Sequence, residues 1–181
     1  MKNKWIGTLV MVLGIVLGLT ACAVLDTSGA SGADPAARWA LLPFANHTET
    51  PLAANRAEAI TAALLAAKGV ADLARYPAGL SQESLFDAGA ERRQQDEARA
   101  WARSQGARYA VTGSVDEWRY KVGVDGEPAV GIALSIIDLS ADKVIWNGVG
   151  GKSGWSREAL AAVAQKLIGS LLDQALASPR K

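Results

Sequence analysis

The hydrophobic and polar positions divide the chain into an apolar leader, a segment of small residues and a folded region. The leader begins with Lys2 and Lys4, continues as an apolar run over 5–19 and ends at Cys22. The run is shorter than the roughly 20 apolar residues that a membrane-spanning helix needs. A basic start, a short apolar stretch and then small residues are typical of a cleaved signal peptide. We therefore expect residues 1–21 to be removed.

The end of the leader also suggests a role for the cysteine. Leu19-Thr20-Ala21-Cys22 resembles the lipobox of bacterial lipoproteins, in which the cysteine becomes the first residue and carries acyl chains. The alternative is an ordinary secretory leader followed by an incidental core cysteine. The next residues, 23–37, are rich in Ala, Ser, Gly and Asp, a composition typical of flexible linkers. We predict residues 22–37 to be a lipidated cysteine with a flexible tether, and 38–181 to be the folded domain.

The first half of the folded region alternates between short apolar runs and one helical pattern. The apolar run over 39–44 predicts a buried strand. Thr50 and Pro51 favour the start of a helix, with Thr50 as the N-cap and Pro51 at the first helical position. That helix should run to Lys68, and a second short strand is predicted over 70–76.

The second half predicts a helix, three strands and a final helix. The charged segment 91–104 has helical propensity, and its mixed signs favour a solvated helix face. Alternating apolar positions predict strands over 108–121 and 130–136, and a third strand opens at 144–146. A continuous apolar stripe predicts a helix over 157–177.

The order of these elements defines the expected fold class. It is β-α-β-α-β-β-β-α, with Asp125-Gly126 as a hairpin signal between two strands. The leading βα units favour parallel pairing, and the later short turns favour antiparallel pairing. We predict an α/β protein with a single domain, a mixed β-sheet and helices packed on that sheet.

Composition excludes several classes of protein. The whole chain has 181 residues with 19 Lys and Arg against 18 Asp and Glu, one Cys and one His. The leader removes two lysines, so the mature chain of 160 residues carries 17 basic and 18 acidic residues. A nearly neutral domain disfavours nucleic-acid binding, which needs a basic face. A single Cys and a single His exclude a cysteine cage or a multi-histidine metal site, and no cofactor is expected.

The chain offers no convincing catalytic group. His47 lies in a polar loop without a matching serine motif, so we interpret it as a solvent-exposed or loop hydrogen-bonding residue. Carboxylate pairs occur at Asp116 with Glu117 and at Asp125 with Glu127. Adjacent residues on a strand point to opposite faces, so Asp116 and Glu117 should not form an acid/base pair. A polysaccharide-processing hydrolase is the weaker alternative.

Most tryptophans fit a packing role. Trp101 lies on the inner face of a predicted helix and Trp146 on a predicted strand, so both are expected in the core. Trp118 shares its strand face with Ser114 and Asp116, and strict alternation predicts that this face is half-exposed.

Trp155 has two interpretations, which the sequence leaves open. It lies in a glycine-rich segment, Gly150–Ser156, that reads as a loop before the last helix. In the first interpretation, Ser156 is the N-cap and Trp155 packs on Leu160 as a hydrophobic staple. In the second, the indole is displayed to lipid headgroups or to a partner, and Lys152 would suit anionic headgroups.

Several segments together resemble a known group of envelope proteins. Residues 39–46, 106–115 and 134–146 are similar to periplasmic lipoproteins related to the amino-terminal domain of TolB and to the soluble part of CsgG. The lipobox, the length and the Gly-Lys-Ser-Gly-Trp155 segment most resemble the PelC family of outer-membrane lipoproteins, which act in Pel exopolysaccharide export.

This resemblance implies a location, an assembly and a role. It implies a ring of about twelve subunits, held on the periplasmic face of the outer membrane beneath a PelB-like β-barrel. The ring would present an acidic funnel to a cationic, partly deacetylated exopolysaccharide, with Cys22 as the lipid anchor and Trp155 facing the membrane. The alternative is a monomeric envelope scaffold of the TolB type. The candidate funnel acids rest only on strand and hairpin placement: Asp116, Glu117, Asp125 and Glu127.

Overall fold

The computed structural model describes residues 23–77, 88–123 and 126–177. The strands are β1 (Ala23–Thr27), β2 (Trp39–Asn46), β3 (Leu73–Arg75), β4 (Tyr109–Tyr120), β5 (Pro128–Asp138) and β6 (Lys143–Ser153). The helices are α1 (Ala53–Ala67), α2 (Ala88–Ser104) and α3 (Leu160–Ala175). They form a single mixed α/β domain, which confirms the predicted fold class. Within the described residues, no helix combines the length and the apolar character needed to cross a bilayer.

The sheet contains one parallel part and one antiparallel part. Its strand order is β1-β6-β5-β4-β2-β3. Strand β2 pairs in parallel with β3 and β4, whereas the pairs β4–β5, β5–β6 and β1–β6 are antiparallel. The chain moves from β2 through α1 to one side, then from β3 through α2 back across β2. Right-handed crossovers in opposite directions place the two helices on opposite faces of the sheet.

Two apolar clusters hold the three layers together. The larger cluster lies between one sheet face and the helices α1 and α3, and includes Trp39, Ile132 and Leu167. The smaller one lies under α2, where Ala98 and Ala102 approach the other face. Small side chains on α2 allow the helix to lie close to the sheet. Helix α2 covers the β2 side of this face.

The segment predicted as a tether differs from that expectation. Residues 23–27 form β1, which pairs with β6 from Ala23 opposite Lys152 to Thr27 opposite Gly148. Leu25 is half-buried against the larger cluster, and the Ser31 hydroxyl donates to the carbonyl of Ala175 at 2.7 Å. The composition of this segment did not reveal the strand, because only one of its apolar side chains is partly buried. The strand forms because the edge of β6 is available for pairing.

A β-bulge in β4 changes the predicted orientation of Trp118. Val115 pairs with Ile132 and Glu117 with Gly131, so Asp116 is an extra residue in the strand. An extra residue reverses the alternation beyond it. Trp118 therefore faces the larger cluster and is only 2% exposed. The predicted half-exposed position of this tryptophan is wrong, because strict alternation fails at the bulge.

Helix α1 begins later than the sequence predicts. Its N-cap is Leu52, in the left-handed region at φ 59°, and no side chain caps the helix. The hydroxyl of Thr50, the predicted cap, donates instead to the carbonyl of Trp118 at 2.6 Å. The loop before α1 is therefore tied to β4 rather than to its own helix.

The glycine-rich segment before α3 is mostly strand. Strand β6 continues to Ser153, whereas the sequence suggests a loop from Gly150. A Cβ on Gly150 would lie 2.7 Å from Leu25 Cδ2 and 2.8 Å from Leu167 Cδ1. Glycine at this position therefore allows β1 and α3 to pack closely over β6, and it does not mark a turn.

Candidate functional site

One end of the sheet gathers several of the predicted site residues. At this end β1 begins at Ala23, β4 ends at Tyr120, β5 begins at Pro128 and β6 ends at Ser153. Trp155 follows directly, so we call it the Trp155 end. The opposite end, where β6 begins next to Val144, is the Val144 end.

The backbone around Trp155 is held by a set of hydrogen bonds. Gly154 N–H donates to the carbonyl of Pro128 at 2.8 Å, and Glu158 N–H donates to the carbonyl of Trp155 at 2.9 Å. Trp155 N–H donates to Glu158 Oε2 at 3.1 Å, and Lys166 Nζ donates to Glu158 Oε1 at 2.6 Å. The Lys166 ammonium, with the Trp155 N–H, lowers the pKa of Glu158. The loop is therefore fixed by a carboxylate that stays ionised at neutral pH.

The side chain of Trp155 extends away from this fixed backbone. It is 56% exposed. Helix α3 begins at Leu160 with Ala159 as the N-cap, and Ser156 does not cap it. Arg157, between them, adopts a left-handed conformation with φ 69°. This geometry departs from the staple interpretation, whereas contact of the indole with lipid or a partner stays a prediction.

Lys152 and Ala23, the residue that follows the predicted lipidation site, lie at the same end. Lys152 is half-buried in β6 and pairs with Ala23, and its charge contributes to the lowered pKa of Glu158. Cys22 lies outside the described residues. It is bonded to Ala23, and neighbouring Cα atoms are about 3.8 Å apart. The position of Ala23 therefore fixes where an acyl chain on Cys22 would begin.

Two of the four acidic candidates lie together at the β4 bulge. Val115 and Trp118 both face the core, so Asp116 and Glu117 between them lie on the outer side. The expectation that these two residues point to opposite faces is therefore wrong, because it assumed a regular strand. Glu117 Oε1 accepts a hydrogen bond from Arg119 Nε at 2.9 Å.

Asp116 also joins a group that the sequence did not reveal. His47 Nδ1 lies 2.8 Å from Asp116 Oδ1, and His47 Nε2 lies 3.9 Å from Glu91 Oε2. His47 is thus a loop hydrogen-bonding residue that joins β4 to α2. No sequence pattern predicts that Glu91 lies near His47. The two residues meet because the connection from β3 through α2 to β4 brings Glu91 to the end of β2. Among the described residues, no group of His, Cys, Asp or Glu is arranged to hold a metal ion.

The remaining acidic candidates belong to the β4–β5 hairpin. Asp125 lies outside the described residues. Glu127 is exposed, and its carbonyl accepts a hydrogen bond from Lys121 N–H at 2.7 Å. Four residues of strand, or about 13 Å, separate Asp116 from the end of β4. The structure therefore places Glu127 at the Trp155 end and Asp116 and Glu117 farther along the sheet.

Part of the α2-side sheet face is open. A shallow groove of about 330 Å³ crosses β5, β6 and β1 there. In it the Ser135 hydroxyl donates to Asn147 Oδ1 at 2.7 Å, and Asn147 N–H donates to Ser28 Oγ at 2.9 Å. These polar groups satisfy one another, and the groove contains none of the predicted site residues.

Comparison with solved structures identifies close similarity to one protein. The chain is similar to the PelC dodecamer from Paraburkholderia phytofirmans, with 39% sequence identity, a TM-score of 0.71, and coverage of 85% of this chain and 99% of that chain. A leucine-to-methionine variant of that dodecamer gives 39% identity, a TM-score of 0.74, and coverage of 87% and 100%.

A more distant structure shares the fold. A lipoprotein from Neisseria meningitidis has 18% identity, a TM-score of 0.54, and coverage of 76% of this chain and 96% of that one. No protein-family model and no curated protein sequence matches the chain. Because the identity to PelC extends over nearly the whole of that protein, the chain belongs to the PelC family.

Proposed function

We propose that this chain is an outer-membrane lipoprotein that guides an exopolysaccharide during export. In this proposal acylated Cys22 anchors each subunit at the periplasmic face of the outer membrane. The subunits close into a ring, and the ring directs a cationic, Pel-type polymer toward a PelB-like β-barrel. No catalytic step is required of the chain.

The observation that carries the proposal is the 39% identity to a protein solved as a dodecamer. A ring needs a heterologous interface that closes on itself, so its geometry depends on the whole subunit surface. The shared fold covers 85% of this chain and 99% of that protein, which supports the same mode of assembly. We therefore expect a closed ring of about twelve copies.

The Trp155 end supports the membrane part of the proposal. The first described residue, Ala23, pairs with Lys152 there, so acyl chains on Cys22 would begin beside Trp155. An exposed indole on a fixed loop suits the headgroup layer, where tryptophan is favoured. Lys152 adds a cation at the same level. Two or more acyl chains give stable anchoring where one would be marginal.

Asp116 and Glu117 are the acids that we propose for contact with a cationic polymer. Both lie on the outer side of β4, and Glu91 extends the same acidic area through His47. Glu127 and Asp125 belong to the hairpin near the membrane-facing end in this proposal, so we assign them no contact with the polymer. The nearly neutral charge of the mature chain requires such a separation of acids from bases.

The mass of the mature lipoprotein in mild detergent tests the assembly. We expect a single species with the mass of a ring, measured by light scattering or native mass spectrometry. A subunit that stays monomeric at high protein concentration would overturn the ring and favour a scaffold of the TolB type. Turnover of an amino-sugar polymer by the purified protein would instead favour a hydrolase.

Polymer secretion tests the role of Trp155. A Trp155→Ala variant should fold and assemble normally but lose secretion, because the exposed indole contributes little to the core. Val149→Ala is the matched control, since Val149 is also exposed but lies in the middle of the open sheet face. Equal secretion by both variants would remove Trp155 from the proposed site.

A further inference from the structure

Exposed apolar side chains are concentrated at the Trp155 end. In the described part of the chain, seven large apolar side chains are exposed, and Val144 and Val149 are the two that lie elsewhere. The other five are Val24, Leu52, Tyr120, Val122 and Trp155. Water-soluble surfaces carry such side chains singly, whereas a group of them marks an interaction surface.

Besides Trp155 and Val24, two separate parts of the chain contribute to this group: the end of β4 with the following hairpin, and the loop before α1. Val122, in the β4–β5 hairpin, is completely exposed, and Tyr120 beside it is 51% exposed. Leu52 belongs to the loop before α1 and is 53% exposed. The bond from the Thr50 hydroxyl to the Trp118 carbonyl brings that loop to the end of β4.

The described residues around these apolar side chains are held in place. The Tyr120 hydroxyl accepts a hydrogen bond from Leu160 N–H at 3.1 Å, and Lys121 Nζ donates to Ser153 Oγ at 2.7 Å. Leu52 adopts φ 59°, which is unfavourable for a residue with a side chain, so the surrounding structure must impose it. Exposed apolar side chains next to such fixed positions are suited to enter an apolar medium.

The surface that these apolar side chains contact can be inferred from the position of Ala23. Cys22 is bonded to Ala23, and Ala23 starts β1 at this same end. Because β1 is paired with β6, no length of free linker separates the proposed acyl chains from these loops. We propose that Leu52, Tyr120 and Val122 form a second membrane contact, which enters the interfacial layer of the bilayer together with Trp155 and fixes the subunit's orientation.

The charges at the Trp155 end are mixed, so they leave little net attraction to the lipid headgroups. Lys121, Lys152 and Arg157 could contact lipid phosphates, but the nearby Glu127 and Glu158 offset part of that charge. Apolar contact should therefore dominate, and insertion should persist at about 1 M salt, where the Debye length falls to about 3 Å. This inference rests on the proposed acylation of Cys22.

Depth-sensitive labelling of the mature lipoprotein tests the inference. Cys22 is the only cysteine of the chain, and acylation would consume its thiol, so Val122→Cys or Leu52→Cys supplies a single labelling site. The labelled lipoprotein is reconstituted in vesicles of phosphatidylethanolamine and phosphatidylglycerol, some of which contain spin-labelled lipid. Val144→Cys is the matched control, because Val144 is an exposed valine at the opposite end of β6.

We expect the fluorophores at 122 and 52 to emit at shorter wavelength and to be quenched by the spin-labelled lipid, with neither effect at 144. Water-like emission at 122 and 52, equal to that at 144, would overturn the inference. A second variant, Leu52→Asp with Val122→Asp, should reduce the part of the tryptophan fluorescence that the spin-labelled lipid quenches, because Trp155 is the exposed tryptophan of the described residues.

Two measurements on the same samples separate this inference from the proposed function. Mass spectrometry of the purified chain reports whether Cys22 is acylated, and native mass reports whether a ring forms. Quenching at 122 and 52 in an acylated monomer would support the membrane contact and reject the ring. An acylated ring without quenching would reject the membrane contact alone.

Discussion

At the scale of the residue, one extra amino acid decides which side chains of β4 reach solvent. Asp116 occupies the bulge, so Trp118 turns into the core and Asp116 and Glu117 share the outer side. Bulges have weak sequence signals, because the residue that is left unpaired is determined by the partner strand. The acidic pair could therefore be found in the sequence, but its common orientation could not.

Gly113 lies so close to the neighbouring strand that no side chain fits at its position. A Cβ at this position would lie 2.3 Å from the backbone carbonyl oxygen of Ala133, in the neighbouring strand. A backbone atom inside a hydrogen-bonded ladder cannot move away without disturbing the ladder. We expect Gly113→Ala to lower the free energy of unfolding by about 1–3 kcal/mol, measured by urea denaturation.

The control for this prediction is Gly151→Ala. Gly151 also lies in a strand, but nothing approaches within 4 Å of its Cβ position. It should unfold at nearly the same urea concentration as the parent chain. Equal loss of stability in both variants would contradict the role of the contact with Ala133.

The hydrogen bonds to the Asp138 carboxylate predict that the stability of the fold depends on pH. Its carboxylate accepts hydrogen bonds from the Ser140 hydroxyl and from the N–H groups of Ser140 and Ala141. The Ser140 hydroxyl, with these N–H groups and Arg108, lowers the pKa of Asp138, although burial opposes the shift. The ionised form therefore stabilises the fold above the unfolded pKa of about 3.9. That contribution is lost as the pH falls through the lower folded value.

Replacement of Asp138 should therefore matter more at neutral than at acidic pH. We expect Asp138→Ala to lower the free energy of unfolding by about 1–2 kcal/mol at pH 7, and this difference should shrink progressively below about pH 4. Asp138→Asn, which keeps the Oδ1 acceptor, is the control and should lose less. A difference that is constant from pH 7 to pH 2.5, measured by urea denaturation, would contradict the assignment.

At the scale of the element, β1 changes how the domain would be joined to the proposed anchor at Cys22. A flexible tether of about 15 residues would let the domain lie roughly 20 Å from the bilayer. In the structure β1 is the edge strand of the sheet, and Leu25 packs beside Leu167 over Gly150. The chain therefore leaves the domain directly at the Trp155 end.

The attachment of β1 can be measured by hydrogen exchange. We expect Leu25→Ser to increase amide exchange over 23–27 and to leave β5 protected, because the buried contact of one leucine contributes about 1 kcal/mol when it is half-buried. Val24→Ser is the matched control, since Val24 is 67% exposed on the other side of the same strand. If both variants exchange alike, side-chain packing does not hold β1 in place.

At the scale of the whole molecule, the distribution of charge matters more than its sum. The chain carries 19 basic and 18 acidic residues, and many of these charges form surface ion pairs such as Arg119–Glu117 and Arg103–Asp142. Exposed pairs of this kind contribute little to stability, with a median near zero to about 1 kcal/mol. Their acids can therefore be neutralised without loss of the fold.

This permits a test of the proposed polymer contact. A double variant, Asp116→Asn with Glu117→Gln, should keep the mass of the assembly and reduce polymer secretion severalfold, because attraction of a cationic polymer depends on the local charge. Asp142→Asn is the control, since Asp142 lies near the Val144 end and asparagine tolerates its φ of 49°. Normal secretion by the double variant would remove these acids from the proposed path of the polymer.

The sequence by itself determined the order of eight elements, the mixed sheet and the apolar faces of the helices. It could do so because those features depend on local periodicity and on turns between neighbouring segments. The PelC resemblance was also visible in short motifs along the chain.

Only the tertiary structure decided the features that depend on contacts between distant residues. These are the pairing of β1 with β6, the bulge at Asp116, the continuation of β6 through its glycines and the fixed loop beneath Trp155. Each is set by a partner far away in the chain: an open strand edge, a shifted register, a close side chain or a carboxylate held by Lys166. Local patterns carry no record of such partners, so only the structure could show that Ala23 and most of the exposed apolar side chains lie at one end.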